Sequence, residues 1–155
     1  WLPIFYSPRI SGMYNEWLDE GFARPGARRT RETFEICATA QIIVTDDRPM
    51  VMEMMKPHLA LYMGGMGSED TNFHAEVYRR MGYSEVVDDV TKLFRSDRKD
   101  EAAKVIPDEL VDDSAIVGDL DYVKEQIKAW EASGVTMMVV GAKSVEQINQ
   151  LAELV

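Results

Sequence analysis

Cysteine is nearly missing from this chain. Cys37 is the single example, so no internal disulfide can form and nothing in the fold depends on an oxidising compartment. Histidine is almost as scarce: His58 and His74 are the only two, far apart and without metal-ligand spacing, which argues against a metal site. No apolar run approaches the roughly 20 residues that a membrane span needs, although 46% of the residues are hydrophobic. No charged-then-apolar leader opens the sequence. Positive charge is also in short supply, with 17 Lys and Arg against 27 Asp and Glu and a formal net charge of −10. Such a surplus repels phosphate backbones and anionic lipid headgroups. The expectation is a soluble cytoplasmic protein with no nucleic-acid and no membrane partner. Internal repeats and low-complexity tracts are absent too.

What is present is a chain of 155 residues. At that size folding hides roughly 70% of the surface the unfolded chain exposes, enough for one core. Trp1-Leu2-Pro3-Ile4-Phe5-Tyr6 has the composition of a strand already under way, with no initiator Met, turn or cap before it. The expectation is an opening strand and further chain upstream. Ile10, Met13, Tyr14, Trp17, Leu18 and Phe22 recur at helical steps and predict a helix over about 9–24. Turn formers and charge follow from Arg24 to Arg31, and then Phe34 to Val44 supplies apolar and β-branched residues for a second strand. Asp46-Asp47-Arg48-Pro49 predicts a helix start, with Pro57 inside that helix as an expected kink. Gly64-Gly65-Met66-Gly67-Ser68 breaks the pattern.

From Asn72 to Asp113 the chain is expected to be wholly helical, in short pieces punctuated near Gly82, Asp97 and Pro107. Leu120, Val123, Ile127 and Trp130 then form a stripe that closes at Ser133-Gly134. Val135 to Val140 predicts a third strand, and Ser144 with Gln147 matches a capping box before a final helix. Strands separated by helices imply parallel pairing through right-handed crossovers, and so an α/β fold. Three strands are few for a closed barrel, which needs eight and about 250 residues.

Several segments, in order, resemble the luciferase-like monooxygenase superfamily, in particular its F420-dependent oxidoreductases. They are Leu59 through Gly67, Asn72-Phe73, Arg80-Met81-Gly82-Tyr83, Ile106 through Asp112, Val117-Gly118 and Ser133 through Val140, and the resemblance covers most of residues 1–141. It implies the C-terminal part of a (β/α)8 TIM barrel, about strands 6–8. Residues 1–155 are then one partial barrel domain, with 64–113 as a helical insertion between the second and third strands. It also implies the deazaflavin F420, or in other branches FMN, held at the C-terminal mouth of the barrel. The acidic or histidine residues near the reactive ring in some relatives belong to earlier strands, so no catalytic residue is assigned.

Barrels of this kind build their sites from strand ends and the loops after them. Phe5 and Tyr6 follow the opening strand, where a sugar-phosphate-oxidising branch of the family carries Thr and Lys; aromatic residues there point to an apolar or ring-containing substrate, or else pack under the insertion. In the second strand Phe34, Ile36, Ala38, Ala40 and Ile42 alternate with Cys37, Thr39 and Gln41. Covering helices want the apolar set, which leaves Thr39 and Gln41 facing inward as substrate-binding candidates, or as partners for buried backbone groups. Gly64 and Gly65 permit close backbone approach to a cofactor, or simply end a helix. Gly141 and Lys143 follow the last strand, where barrels often hold phosphate, although a lone lysine is also an ordinary solvated charge. Cys37 is expected to be small core filler. The paired carboxylates resemble caps and solvated faces, and Arg24, Arg28, Arg29 and Arg31 fall on the face opposite the chemistry, solvated or at subunit contacts.

The expected activity is hydride transfer between F420 and a small organic substrate by a full-length, homo-oligomeric parent, with this piece alone inactive. The alternatives are an FMN-dependent monooxygenase and a non-catalytic α/β binding or dimerisation fragment.

Overall fold

A computed structural model describes residues 1–68 and 71–154. The chain divides into two compact units. One holds Trp1–Val44 together with the residues from Asp113 onward, and the other holds Thr45–Asp112. The helical stretch expected over 64–113 therefore belongs to a unit that already begins after the second expected strand.

The first unit is built on a parallel sheet. Strand β1 (Cys37–Val44) lies at its centre, with β2 (Ala115–Gly118) on one side and β3 (Met137–Val140) on the other. Both pairings are parallel, running Gln41 to Ala115 through Val44 to Gly118 and Cys37 to Met137 through Ala40 to Val140. Ala38, Ala40 and Ile42 are buried, in a core shared with Tyr14 of α1 (Ser11–Phe22) and with Val123, Ile127 and Trp130 of α7 (Leu120–Ala132). Leu151 of α8 (Val145–Ala152) packs against the same cluster. The periodic stripe of α7 is thus the face that meets the sheet, as a 3.6-residue repeat demands. Asp119 caps that helix by accepting from the Tyr122 N–H at 2.8 Å. Gly134, with φ +97°, turns the chain out of it into β3, a conformation suited to glycine.

Two expectations about strands are corrected. Residues 1–6 do not form a strand. Trp1 alone pairs with the sheet, donating its N-terminal amine to the Glu35 carbonyl at 2.9 Å and accepting from the Cys37 N–H at 2.8 Å. Beyond it Pro3 has no N–H to offer and Phe5 sits at φ 54°, so a ladder cannot continue. The sheet instead gains an unexpected strand, Ala115–Gly118, four buried residues too short to show a period, while the strand expected over Val135–Val140 is present as β3. The expected helix over 9–24 is a 3-10 turn at Pro8–Ile10 followed by α1.

The second unit is helical. It comprises α2 (Arg48–Ala60), α3 (Phe73–Arg80), α4 (Ser84–Arg95), α5 (Lys99–Lys104) and α6 (Asp108–Asp112). Asp47 caps α2, accepting from the Met50 N–H at 3.2 Å. Helix α2 runs through Pro57 and then widens into a π-helical turn at Leu61–Gly65. Side chains satisfy carbonyls at that turn. Asn72 donates its amide to the Tyr62 and Met63 carbonyls at 2.9 and 2.8 Å, and the Thr91 hydroxyl donates to Met63 at 3.3 Å. The same Asn72 accepts from the His74 and Ala75 N–H groups, so one residue ends one helix and starts the next.

Close packing explains Gly64 and Gly65. A Cβ on Gly64 would stand 2.5 Å from the Phe94 Cβ, and one on Gly65 would stand 2.6 Å from its ring. Gly65→Ala should therefore destabilise the protein by roughly 1–3 kcal/mol through overpacking against the Phe94 ring, whereas the clash at Gly64 is with a Cβ that alanine at position 94 would keep. In a Phe94→Ala background the same change should become neutral or stabilising, because alanine is the better helix former by about 1 kcal/mol. Urea unfolding of the four proteins of that cycle provides the check.

Lys56 is buried to 6% exposure and pairs with Glu53 on its own helix and with Asp108 of α6 at 2.8 Å. Burial alone would lower its pKa, but the hydrogen bonds to Asp108 and Glu53 outweigh that and raise it. Neutralising both carboxylates leaves a buried cation unpaired. The Glu53→Gln/Asp108→Asn double variant should thus lose more stability than the two single variants summed. A raised folded-state pKa contributes stability that is complete below the ordinary lysine value of 10.5 and is lost as pH climbs through the folded value. A pH series of urea midpoints should show that alkaline loss in the parent and not in the double variant.

Candidate active-site face of the parallel sheet

Because all three strands run the same way, Val44, Gly118 and Val140 end on one edge of the sheet. Helices α1, α7 and α8 pack on one face only. On the other face β1 presents Cys37, Thr39 and Gln41, and β3 adds Met137 and Val139 in register with Cys37 and Thr39. Thr39 and Gln41 are exposed, as are Met137 at 50% and Val139 at 44%. The Cys37 sulfur lies 3.9 Å from that of Met137. Parallel sheets are ordinarily covered on both faces. Between β1 and β3 this one carries an open, uncharged strip of Cys37, Thr39, Gln41, Met137 and Val139, whereas toward β2 the same face is closed, with Ile43 half-buried and Ala115 and Val117 buried.

Thr39 and Gln41 lie together on this face, two steps apart on one strand, as the alternation predicts. Gly141 and Lys143 follow β3 at the C-terminal edge. A Cβ on Gly141 would meet nothing within 4 Å, and Lys143 is exposed. The loop is braced at its far end. Ser144 accepts from the Gln147 N–H at 3.2 Å, while the Gln147 side chain accepts from the Lys143 N–H at 2.8 Å, one residue before the expected capping-box partner.

Tyr6 lies elsewhere. It is buried on the helix-covered side, stacked on Tyr14 at 5.6 Å and 5.7 Å from the Trp130 ring. Its hydroxyl donates to the Ser133 carbonyl at 3.1 Å, and burial holds its pKa above the ordinary phenol value. Phe5 precedes it, half-buried and in the left-handed region. The structure does not bring Tyr6 to the face of Thr39 and Gln41. Gly64 and Gly65 belong to the helical unit, where Phe94 accounts for them.

Sequence reasoning missed one polar cluster. Ser7 is buried and donates to Asp113 at 3.3 Å, and the Arg9 guanidinium grips the same carboxylate through Nε at 2.9 and 3.0 Å and through Nη2. Such bidentate, charge-assisted pairs are among the strong hydrogen bonds. No local pattern could announce it, since the partners lie 104 residues apart. Among the described residues no group of three or more His, Cys, Asp and Glu is arranged to hold a metal, and no helix is long and apolar enough to cross a membrane.

Fold and face together define an α/β protein built on a parallel three-stranded sheet with part of one surface uncovered. The family model for luciferase-like monooxygenases matches residues 2–137, and the chain belongs to that family. It is 74% identical over all 155 residues to a Mycobacterium tuberculosis (strain ATCC 25618 / H37Rv) protein whose name marks it provisionally as a coenzyme F420-dependent oxidoreductase. The match spans 45% of that relative's length. The coenzyme F420-dependent tetrahydromethanopterin reductase from Methanopyrus kandleri has a similar fold over 97% of this chain and 42% of its own, with a TM-score of 0.71 at 21% identity.

The two faces of β1 should respond differently to polar substitution. Ala40→Asn on the covered face should cost roughly 1–3 kcal/mol by burying an amide without partners. Thr39→Asn on the open face should stay within about 0.5 kcal/mol, as exposed sites do. Chemical denaturation of both variants is the measurement.

Proposed function

We propose that the complete polypeptide is an F420-dependent oxidoreductase that moves a hydride between the deazaflavin and a small organic substrate. On this reading the present chain is the C-terminal part of a (β/α)8 barrel, and the open sheet face is its interior. The observation that carries the reading is the 74% identity, sustained over the whole chain, to a relative bearing that activity in its name. The face itself fits the demand. A flat, largely neutral ring needs an apolar floor with a few directional hydrogen bonds. Met137 and Val139 offer the first, and the Thr39 hydroxyl and Gln41 amide offer the second.

The cofactor would supply hydride acceptance and donation, and the protein's part is orientation and exclusion of water. Gln41, nearest the strand's C-terminal end of the two, can donate to or accept from a carbonyl or ring nitrogen. Thr39 can do the same one layer deeper. Gly141 leaves space for backbone approach, and Lys143 can neutralise an anionic group at the rim. No charged side chain stands on the open face among Cys37, Thr39, Gln41, Met137 and Val139, which suits an uncharged substrate portion there.

Titrating the complete polypeptide with F420 and with FMN, followed by fluorescence quenching, tests the cofactor. The expected result is saturable quenching by F420 alone. FMN binding accompanied by oxygen consumption would transfer the protein to the monooxygenase reading, and binding of neither would remove the enzyme. Gln41→Leu should raise the F420 dissociation constant or the substrate KM roughly tenfold, the equivalent of one lost hydrogen bond to a ligand.

A further inference from the structure

The helical unit contains a groove of about 600 Å³ between α3 and α4 that the proposed activity does not use. Its exposed apolar part is Phe73, whose ring is 68% exposed, unusual for a side chain of that size, with Met63 fully buried behind it. Its charged part is Arg79, Lys92 and Arg95 with the carboxylates Glu76 and Asp88. The carboxylates are already engaged. Asp88 accepts from Arg79 at 2.6 Å, and Glu76 accepts from Arg80 at 3.1 Å. Lys92 makes no ion pair among the described residues, and Arg95 reaches only the Gly67 carbonyl, at 3.4 Å. Both project from α4 three positions apart and so share one face of the helix.

We propose that this groove binds a small aromatic carboxylate. The ring would lie against Phe73, and the carboxylate would be held by Lys92 and Arg95. An exposed aromatic ring favours a planar π-system, and two cations without an ion pair among the described residues supply the charge that a carboxylate needs. The site stands apart from the cofactor assignment and does not rest on it.

Calorimetric titration of the complete polypeptide with benzoate tests this, with benzyl alcohol and inorganic phosphate as probes of the two halves. Benzoate should bind, and Lys92→Gln, Arg95→Gln and Phe73→Ser should each weaken it roughly tenfold. Lys128→Gln, a charge change outside the groove, should leave it unaltered. All four positions are exposed, and circular dichroism confirms that each variant is folded before titration. The proposal is overturned if benzoate does not bind, if benzyl alcohol or phosphate binds as tightly, or if binding survives the Lys92 and Arg95 changes. Glu69 and Asp70 precede Thr71 in the sequence and lie outside the described residues. Benzoate binding that appears only in Glu69→Gln/Asp70→Asn would mean the chain's own carboxylates answer these cations, and the ligand site would fall.

Discussion

Strand β1 carries the hydrogen bonds on which the sheet unit depends. Its C-terminal half pairs with β2 and its N-terminal half with β3, while Trp1 bonds to Glu35 and Cys37 at its head. Neither flanking strand pairs with the other. Remove β1 and no sheet remains. Its side chains also fix the orientation of everything else, because the period of two is strict. A slip of one residue would turn Thr39 and Gln41 into the core beneath Trp130 and expose Ala38, Ala40 and Ile42. The buried alanines have a further consequence. Small residues at Ala38 and Ala40 leave room for the large rings of Tyr6, Tyr14 and Trp130 in the same cluster.

Those rings explain how a segment without regular structure is held. Tyr6 stacks on Tyr14 and meets Trp130, and its hydroxyl reaches Ser133, whose own hydroxyl donates to the Trp130 carbonyl at 2.5 Å. Asn15 donates to the same Ser133 carbonyl at 3.2 Å. The end of α7 is therefore a junction where the opening segment and α1 converge. A polar residue buried there is satisfied on every side, which is the condition for tolerating it. Ser133 and Gly134 look in sequence like a plain helix stop; in space they also secure the first residues of the chain.

Features that depend on local periodicity were legible in the sequence. The face of β1, the stripe of α7, the caps at Asp47 and Ser144 and the breaks near Gly82, Asp97 and Pro107 all follow from spacing within a few residues. Features set by distant partners were not. The composition of residues 1–6 suits a strand, but a strand needs a free N–H and an extended φ at each step, and Pro3 and Phe5 deny both. Ala115–Gly118 pairs because β1 offers an edge, a fact outside its four residues. Arg9 and Asp113 meet only after folding. The face bearing Thr39 and Gln41 was readable from one strand, whereas its contribution from Met137 and Val139 required the register.

Glycine and charge show the same division from another side. Gly64 and Gly65 have the composition of a ligand-hugging loop, yet the atoms that forbid a side chain there belong to Phe94. Gly141 has open space around it, so none of the described residues demands a glycine in that place. Net charge misleads in a parallel way. A chain of −10 can expose an uncharged strip of sheet in one unit and, in the other, a groove where cations outnumber carboxylates among the described residues. Ligand chemistry is set within a Debye length, about 10 Å at moderate salt. The formal total therefore bears on association with large polyanions, and only the local inventory of side chains bears on what a pocket holds.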